Sequence, residues 1–351
     1  MSSVVHIDGS QGEGGGQIVR SSLALSLVTG RPVVIKHIRA GREKPGLMRQ
    51  HLTAVRAAAE VGNAKLEGDD IGSCSLRFHP GEITPGNYKF AVGTAGSATL
   101  VLQTVLPALI VAKQTSRVTL EGGTHNPWAP PFDFLDKAFF PLLARLGPCV
   151  TAQLETHGFF PAGGGRFHVV IDPAPQLNGI DLIERGDDGD RRVIALVSKL
   201  PLSIGQRELE TISSKTNWPP IALRVYDVTD SPGPGNAVMI QIDSQYVTEV
   251  FTGFGRFGVK AEHVAEETLR QARDYIAAGV PVGPYLADQI LLPLGIAAWQ
   301  AGARSRFRTL PLSRHSLTHI EILRQFLGIE ILHETEEKVC TVNVGPPGNI
   351  E

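Results

Sequence analysis

Cysteine is scarce in this chain. Only Cys74, Cys149 and Cys340 occur in 351 residues, far apart and in no CxxC spacing. That argues against a disulfide framework and against a structural zinc site, and it suits a reducing compartment. Charge of one sign is also missing. The formal net charge is −2, which excludes a surface coated for nucleic-acid binding but leaves room for a local basic pocket. Long hydrophobic runs are absent too. The stretch from Leu100 to Ala112 is interrupted by Gln103 and Pro107 and is too short to span a bilayer. The N-terminal MSSVVHIDGS has no charged-then-apolar signal layout. The expectation is a cytoplasmic protein with no membrane partner; oligomeric state is left open.

What the chain has in plenty is glycine, 38 residues, and an apolar fraction of 42%. The length allows two or three domains, or one large and one small. The most informative stretch is DGSQGEGGGQIVRSSLALSLVTGRPVVIKHIRAGREKPGLMRQ, from Asp8 to Gln50. Its glycines, Gly12 and Gly14 to Gly16, are broken only by Glu13 and run into an apolar helix pattern. This is neither a dinucleotide fingerprint nor a P-loop, because the GK[ST] ending is missing. One reading is a flexible turn that opens a helix. The other starts from Glu13, since a carboxylate among bare amides repels an anion unless a metal such as Mg²⁺ or Mn²⁺ bridges them. Arg20 follows one turn later. Arg39, Arg42, Lys44 and Arg49 then crowd a loop bent by Gly41, Pro45 and Gly46, with Gln50 at the start of the next helix. That loop reads either as an anion site or as a solvated face.

A unit repeats along the chain. A small-residue turn opens an apolar helix at Gly14, at Gly93 and at Gly283. Each is followed by a strand-like run (PVVIKHI, RVTLEGG, RFRTLPL), a second amphipathic helix ending in Gly, and a strand pair. From Gln17 to Ser97 is about 80 residues, but from Ser97 to Leu286 is about 189. The surplus of roughly 100 residues has the size of a small domain. It begins at the charged ERGDDGDRR. The expected class is therefore α/β (α+β): three repeated βαβαββ units with two helices on a four-stranded sheet, plus a small inserted α/β domain. The boundaries read as residues 1–183 and 280–351 for the large domain and 184–279 for the insert. Helices packed inward would gather the turns and the loops after the middle strands at one end.

Several polar residues stand out against that frame. Gln103 interrupts TLVLQTVLP in the second copy, and Asp288 and Gln289 interrupt LADQILLP in the third. Buried polar groups at such positions need partners. Most of the 11 histidines, such as His79 and His168, look incidental. His315 lies between the middle strand and second helix of the third copy, the slot held by the arginine loop in the first and by GGTHNPWAPP in the second. A neutral imidazole beside a cationic phosphate site is a nucleophile toward an α-phosphorus; the same residue also fits a plain loop histidine beside Ser316. His125 falls toward the same pocket, where its flanking prolines suggest shaping more than chemistry.

With these residues collected, the chain resembles the RNA 3′-terminal phosphate cyclase family. The matching stretches are DGSQGEGGGQIVRSSLALS, IRAGREKPGLMRQHLTAV, GTAGSATLVLQTVLPAL, GGTHNPWAPPFDF, FFPAGGGR, LADQILLPL and SRHSLTHIEILRQFLG. The resemblance implies three repeats like a translation initiation factor's C-terminal domain, interrupted by a small α/β domain. It implies attack of His315 on the α-phosphate of ATP, transfer of AMP to an RNA 3′-phosphate, and closure by the 2′-OH to a 2′,3′-cyclic phosphate. Glu13 would bind the metal. Arg20, Arg39, Arg42 and Gln50 would hold phosphates or the RNA end. Gln103 and the segment Tyr285, Leu286, Ala287, Asp288 and Gln289 would line the ATP pocket. One departure is His319, where the family more commonly has Asn. Two rivals share such architecture: a non-catalytic cyclase-like protein of ribosome assembly, and a carboxyvinyl transferase acting on phosphoenolpyruvate.

Overall fold

Alternating β-branched runs form strands, and glycine stops most of the helices between them. The computed structural model describes residues 3–348. Its first segment runs β1 (Val5–Asp8), α1 (Gly16–Thr29), β2 (Val33–Lys36), α2 (Arg49–Val61), β3 (Lys65–Glu67) and β4 (Leu76–His79). β1 and β2 are parallel, and β4 lies antiparallel to both β2 and β3. The second runs β5 (Asn87–Ala91), α3 (Ala98–Leu109), β6 (Ser116–Gly122), α4 (Phe132–Phe134), a π-helical turn (Leu135–Phe139), α5 (Phe140–Ala144), β7 (Cys149–Thr156) and β8 (Gly165–Asp172). The single helix expected from PFDFLDKAFFPLLARLG thus opens into a π turn. Pro141, just beyond it, has no N–H to return to the preceding turn.

The next strand, β9, has only two residues, Asp181–Leu182. The chain then leaves to build β10 (Asp188–Ser198), α6 (Ser203–Ser214), β11 (Leu223–Asp227), β12 (Gly235–Ser244), β13 (Thr248–Phe254) and α7 (Ala261–Ala278). These strands form their own sheet in the order β11-β10-β12-β13. Val193, Ile240, Phe251, Leu269 and Tyr275 belong to an apolar cluster separate from the main core. The chain returns through α8 (Pro284–Ala301), β14 (Ser305–Thr309), α9 (Arg314–Leu327), β15 (Glu330–Glu336) and β16 (Val339–Gly345). β9 pairs parallel with β14 at Arg306 and Phe307, and Val282 bridges parallel to Thr309. One edge of this sheet is therefore made of two pieces about 100 residues apart in sequence.

Counted from its first strand, each of the three larger-segment sheets has the order first, second, fourth, third. Their helices meet one another: α3 packs on α1 and α2, and α9 on α1 and α8. α1, α8 and α9 end on Gly30, Gly302 and Gly328 in the left-handed conformation, where a Cβ would be strained. Among the described residues no helix is long and apolar enough to cross a membrane.

Candidate active site

The glycine run lies flat against α9 because it has no side chains. A Cβ on Gly12, at φ 56°, would come within 2.0 Å of Thr318 Oγ1. The Glu13 N–H donates to that same hydroxyl at 3.1 Å. On the other side, a Cβ on Gly16 would meet His51 Nε2 at 2.4 Å. Bare backbone thus lets the first segment touch its own second helix and α9 at once. The opening left above it is a cleft of about 690 Å³, within the size range of small-molecule sites.

His315 stands in the first turn of α9, behind Ser313, whose hydroxyl caps the helix by accepting the Ser316 N–H at 3.1 Å. Its Nδ1 lies 2.7 Å from Asp288 Oδ1. Asp288 is a buried residue of α8 and also accepts from Gln17 Nε2 at 3.2 Å. Burial alone would raise its carboxyl; the hydrogen bond from His315 and the nearby His319 outweigh it and hold it well below the usual carboxylate range. An ionised carboxylate can only accept, so Nδ1 carries a proton, and in the neutral ring it is Nε2 that holds the lone pair. His319 sits one turn on, buried, its Nδ1 3.8 Å from Asp288 Oδ1. That is too long for a hydrogen bond, and among the described residues neither ring nitrogen of His319 has a hydrogen-bond partner.

The cations Arg20, Arg39 and Arg42 line the same cleft. Arg42 Nη2 bonds Glu13 Oε1 at 2.8 Å. Arg39, itself at φ 54°, donates to the carbonyls of Lys44 and Gly46 at 2.7 and 2.8 Å and so closes its loop. Burial pushes Arg20 down to about 10, with Asp288 and Glu13 opposing the shift, so it stays charged at neutral pH. Burial and the charges of Arg20 and Arg39 push His51 down to about 3. It is neutral, and its Nδ1 accepts the Met48 N–H at 3.1 Å. Gln50 Oε1 accepts the Ser97 N–H at 3.2 Å, tying α2 to the turn before α3. Lys44 and Arg49 are exposed and do not line the cleft.

Gln103 is the one residue of α3 that is not buried. It faces the cleft and donates from Nε2 to Gln289 Oε1. In the Tyr285–Gln289 segment, Tyr285, Asp288 and Gln289 line the cleft. Leu286 and Ala287 point into the core at 0% and 1% exposure. Five consecutive residues on a helix cannot all face one side, since each step turns about 100°. The Tyr285 hydroxyl donates to Gln271 Oε1 of α7 at 3.0 Å, and Val250, Thr252 and Phe254 of β13 complete that wall. Sequence reasoning missed His51, Gln17 and Thr318. The clue for His51 was its place beside Gln50; nothing marked the other two.

Among the described residues no three His, Cys, Asp or Glu side chains converge as a metal site. Glu13 is a single rim carboxylate facing Arg42. That fits a Mg²⁺ held chiefly by phosphate oxygens and water, and does not fit an all-protein cage.

Comparison with known proteins identifies the family. A model of the family described as RNA 3′-terminal phosphate cyclase matches residues 11–332. A protein named RNA 3′-terminal phosphate cyclase from Koribacter versatilis is 48% identical over 97% of this chain and 94% of its own. Proteins of the same name from Salmonella typhimurium and Ectopseudomonas mendocina are each 46% identical, over 98% and 97% of this chain and 99% and 98% of theirs. An EPSP synthase structure from Acinetobacter baumannii aligns over 99% of this chain and 65% of its own, at 11% identity and a TM-score of 0.29, too loose to bear on fold or activity. With the family matched over most of its length and such identity end to end, the chain belongs to the RNA 3′-terminal phosphate cyclase family.

Proposed function

We propose that this protein converts an RNA 3′-terminal phosphate to a 2′,3′-cyclic phosphate at the expense of ATP. The observation that carries the reading is the 2.7 Å bond from His315 Nδ1 to Asp288. It leaves Nε2 of the neutral ring as the nucleophile in a cleft that Arg20, Arg39 and Arg42 also line. Nε2 attacks the α-phosphorus, a P–N bond forms, and the bond to pyrophosphate breaks. An oxygen of the RNA 3′-phosphate then attacks that phosphorus, taking AMP and freeing His315. Last, the neighbouring 2′-OH attacks the activated 3′-phosphate and AMP leaves. A phosphomonoester oxygen is a poor leaving group and AMP a good one. The closing step is intramolecular, so proximity supplies much of its rate. The remaining work is charge neutralisation and positioning.

In this reading Arg20, Arg39, Arg42 and Gln50 hold phosphates of ATP and the RNA end. Gln103, Tyr285, Asp288 and Gln289 border the nucleotide, with Leu286 and Ala287 bracing them from the core. Glu13 gives one oxygen to a Mg²⁺ or Mn²⁺, which offsets phosphate charge when bound. We further read the three βαβαββ segments as copies of one unit, and residues 184–279 as a domain inserted after the first strand of the third. The three free thiols suit a reducing cytoplasm.

ATP labelled at the α-phosphate tests the central claim. The wild-type protein should acquire an acid-labile AMP adduct in the presence of Mg²⁺ or Mn²⁺, and His315→Ala should acquire none. Equal labelling of both would refute the nucleophile. An absence of label in the wild type would return the chain to its non-catalytic or carboxyvinyl-transferring rivals.

A further inference from the structure

Trp128 is the most conspicuous unexplained side chain of the cleft. It lines the cavity that also holds Arg39, Arg42 and His315, yet it is 92% exposed. Its backbone sits at φ 61°, a left-handed conformation that bulky L-residues rarely adopt. Strain of that kind persists when the surroundings impose it, and it clusters at ligand sites. Here the loop is stiffened by Pro127, Pro130 and Pro131. It is fixed from behind by the Asn126 side chain, which donates to the Ala95 carbonyl. The turn holding Ala95 is in turn bound to Gln50 through the Ser97 N–H. The indole is therefore mounted on the wall that carries the arginine loop. Tyr285, another aromatic residue of the cleft, is tied instead to α7 through Gln271.

We propose that Trp128 is a stacking platform for a base of the RNA substrate next to its 3′-phosphate. This rests on the function proposed above and assigns the side of the cleft on which the RNA chain enters. An exposed aromatic face beside guanidinium groups is how proteins take hold of single-stranded nucleic acid: the cations fix the phosphate, and the ring fixes the base whatever its identity. The arginines alone would not tell an RNA end from inorganic phosphate. A rigid ring at a set place beside them would.

The test uses a short oligoribonucleotide with a 3′-phosphate and a matched one whose terminal nucleotides lack bases. Trp128→Ala should raise KM for the intact oligonucleotide by roughly 5- to 150-fold, and Trp128→Phe should restore most of the loss. Both variants should respond alike to the abasic oligonucleotide, and ATP-dependent labelling of His315 should keep its ATP requirement. Unchanged KM in Trp128→Ala overturns the proposal. So does a raised ATP requirement for labelling, which would assign the ring to the nucleotide. A binding readout separates this failure from failure of the proposed reaction. The chain has three tryptophans, so Trp218→Phe with Trp299→Phe leaves Trp128 as the sole indole. Its fluorescence should be quenched by the intact oligonucleotide and not by the abasic one, whether or not turnover follows; equal quenching by both overturns the platform.

Discussion

Two of this molecule's histidine–carboxylate pairs are nearly equal in length and differ in exposure and in which ring nitrogen is spent. His315 is 2.7 Å from Asp288, and His125 is 2.8 Å from Asp133. The His315 side chain is 34% exposed and that of His125 is 0% exposed. His315 spends Nδ1 on its carboxylate and keeps Nε2. His125 spends both nitrogens, Nε2 on Asp133 and Nδ1 on the Thr124 hydroxyl at 2.8 Å. It is also stacked on His157 with ring centres 5.3 Å apart. A short histidine–carboxylate bond is therefore not by itself a mark of a nucleophile. Under the proposed mechanism, the difference lies in which nitrogen is left over and whether a substrate can reach it.

The sharpest way to break this comparison is to keep the His315 bond and change what it enforces. Asp288→Asn preserves size and one acceptor, but no longer requires the proton to sit on Nδ1. Formation of the protein–AMP adduct should slow by about 10²- to 10⁴-fold, with the fold intact by circular dichroism. Single-turnover labelling reads this directly. A rate within a few-fold of wild type would mean that Asp288 does not set the tautomer.

That partnership also marks the limit of what the sequence discloses. The polar interruptions of apolar helices (Gln103, Asp288, Gln289), Arg20 in the helix opened by the glycine run, and the cations of the glycine-bent loop (Arg39, Arg42) all line the cleft, because each breaks a local pattern. Helix and strand alternation was legible for the same reason. Asp288 as the partner of His315 was not legible, since it depends on how α8 crosses α9. Nor was β9, whose two residues carry no periodicity and whose edge is completed only at Val282. His51 was not singled out because its neutrality comes from burial beside Arg20 and Arg39, which no local window contains.

A third carboxylate shows what happens with no histidine to hold. Glu249 on β13 is 1% exposed and accepts the N–H of Gly283, the residue that opens α8. Burial pushes it up to about 8, against the backbone N–H groups of Gly283 and Val250. Asp288, one turn into the same helix, is held down instead. Because the folded value of Glu249 lies above the unfolded one, its contribution to stability is complete below about pH 4.5. It is lost as pH rises toward 8. Wild-type stability should fall by on the order of 2–4 kcal/mol across that window through this group. Glu249→Gln, which keeps an oxygen for Gly283, should flatten the decline. Urea midpoints at several pH values would show it; parallel curves for the two proteins would mean that Glu249 titrates as an ordinary carboxyl.

The smallest effect on chemistry belongs to the other member of the opening pair. His125→Ala removes a ring that touches no solvent and leaves the Thr124 hydroxyl and Asp133 short of a partner. The loss should be about 1–3 kcal/mol of stability, the range for stranding a buried polar group. Burial would by itself raise Asp133, and the bond from His125 now holds it below the usual range. Without the ring, its value should climb. Adenylylation of His315 per folded molecule should stay at the wild-type rate. The two readouts must therefore separate: a shifted urea midpoint with unchanged labelling. If labelling of the folded variant fell with stability intact, the second histidine–carboxylate pair would be part of the chemistry after all. Exposure and the spare nitrogen would then no longer be what divides them.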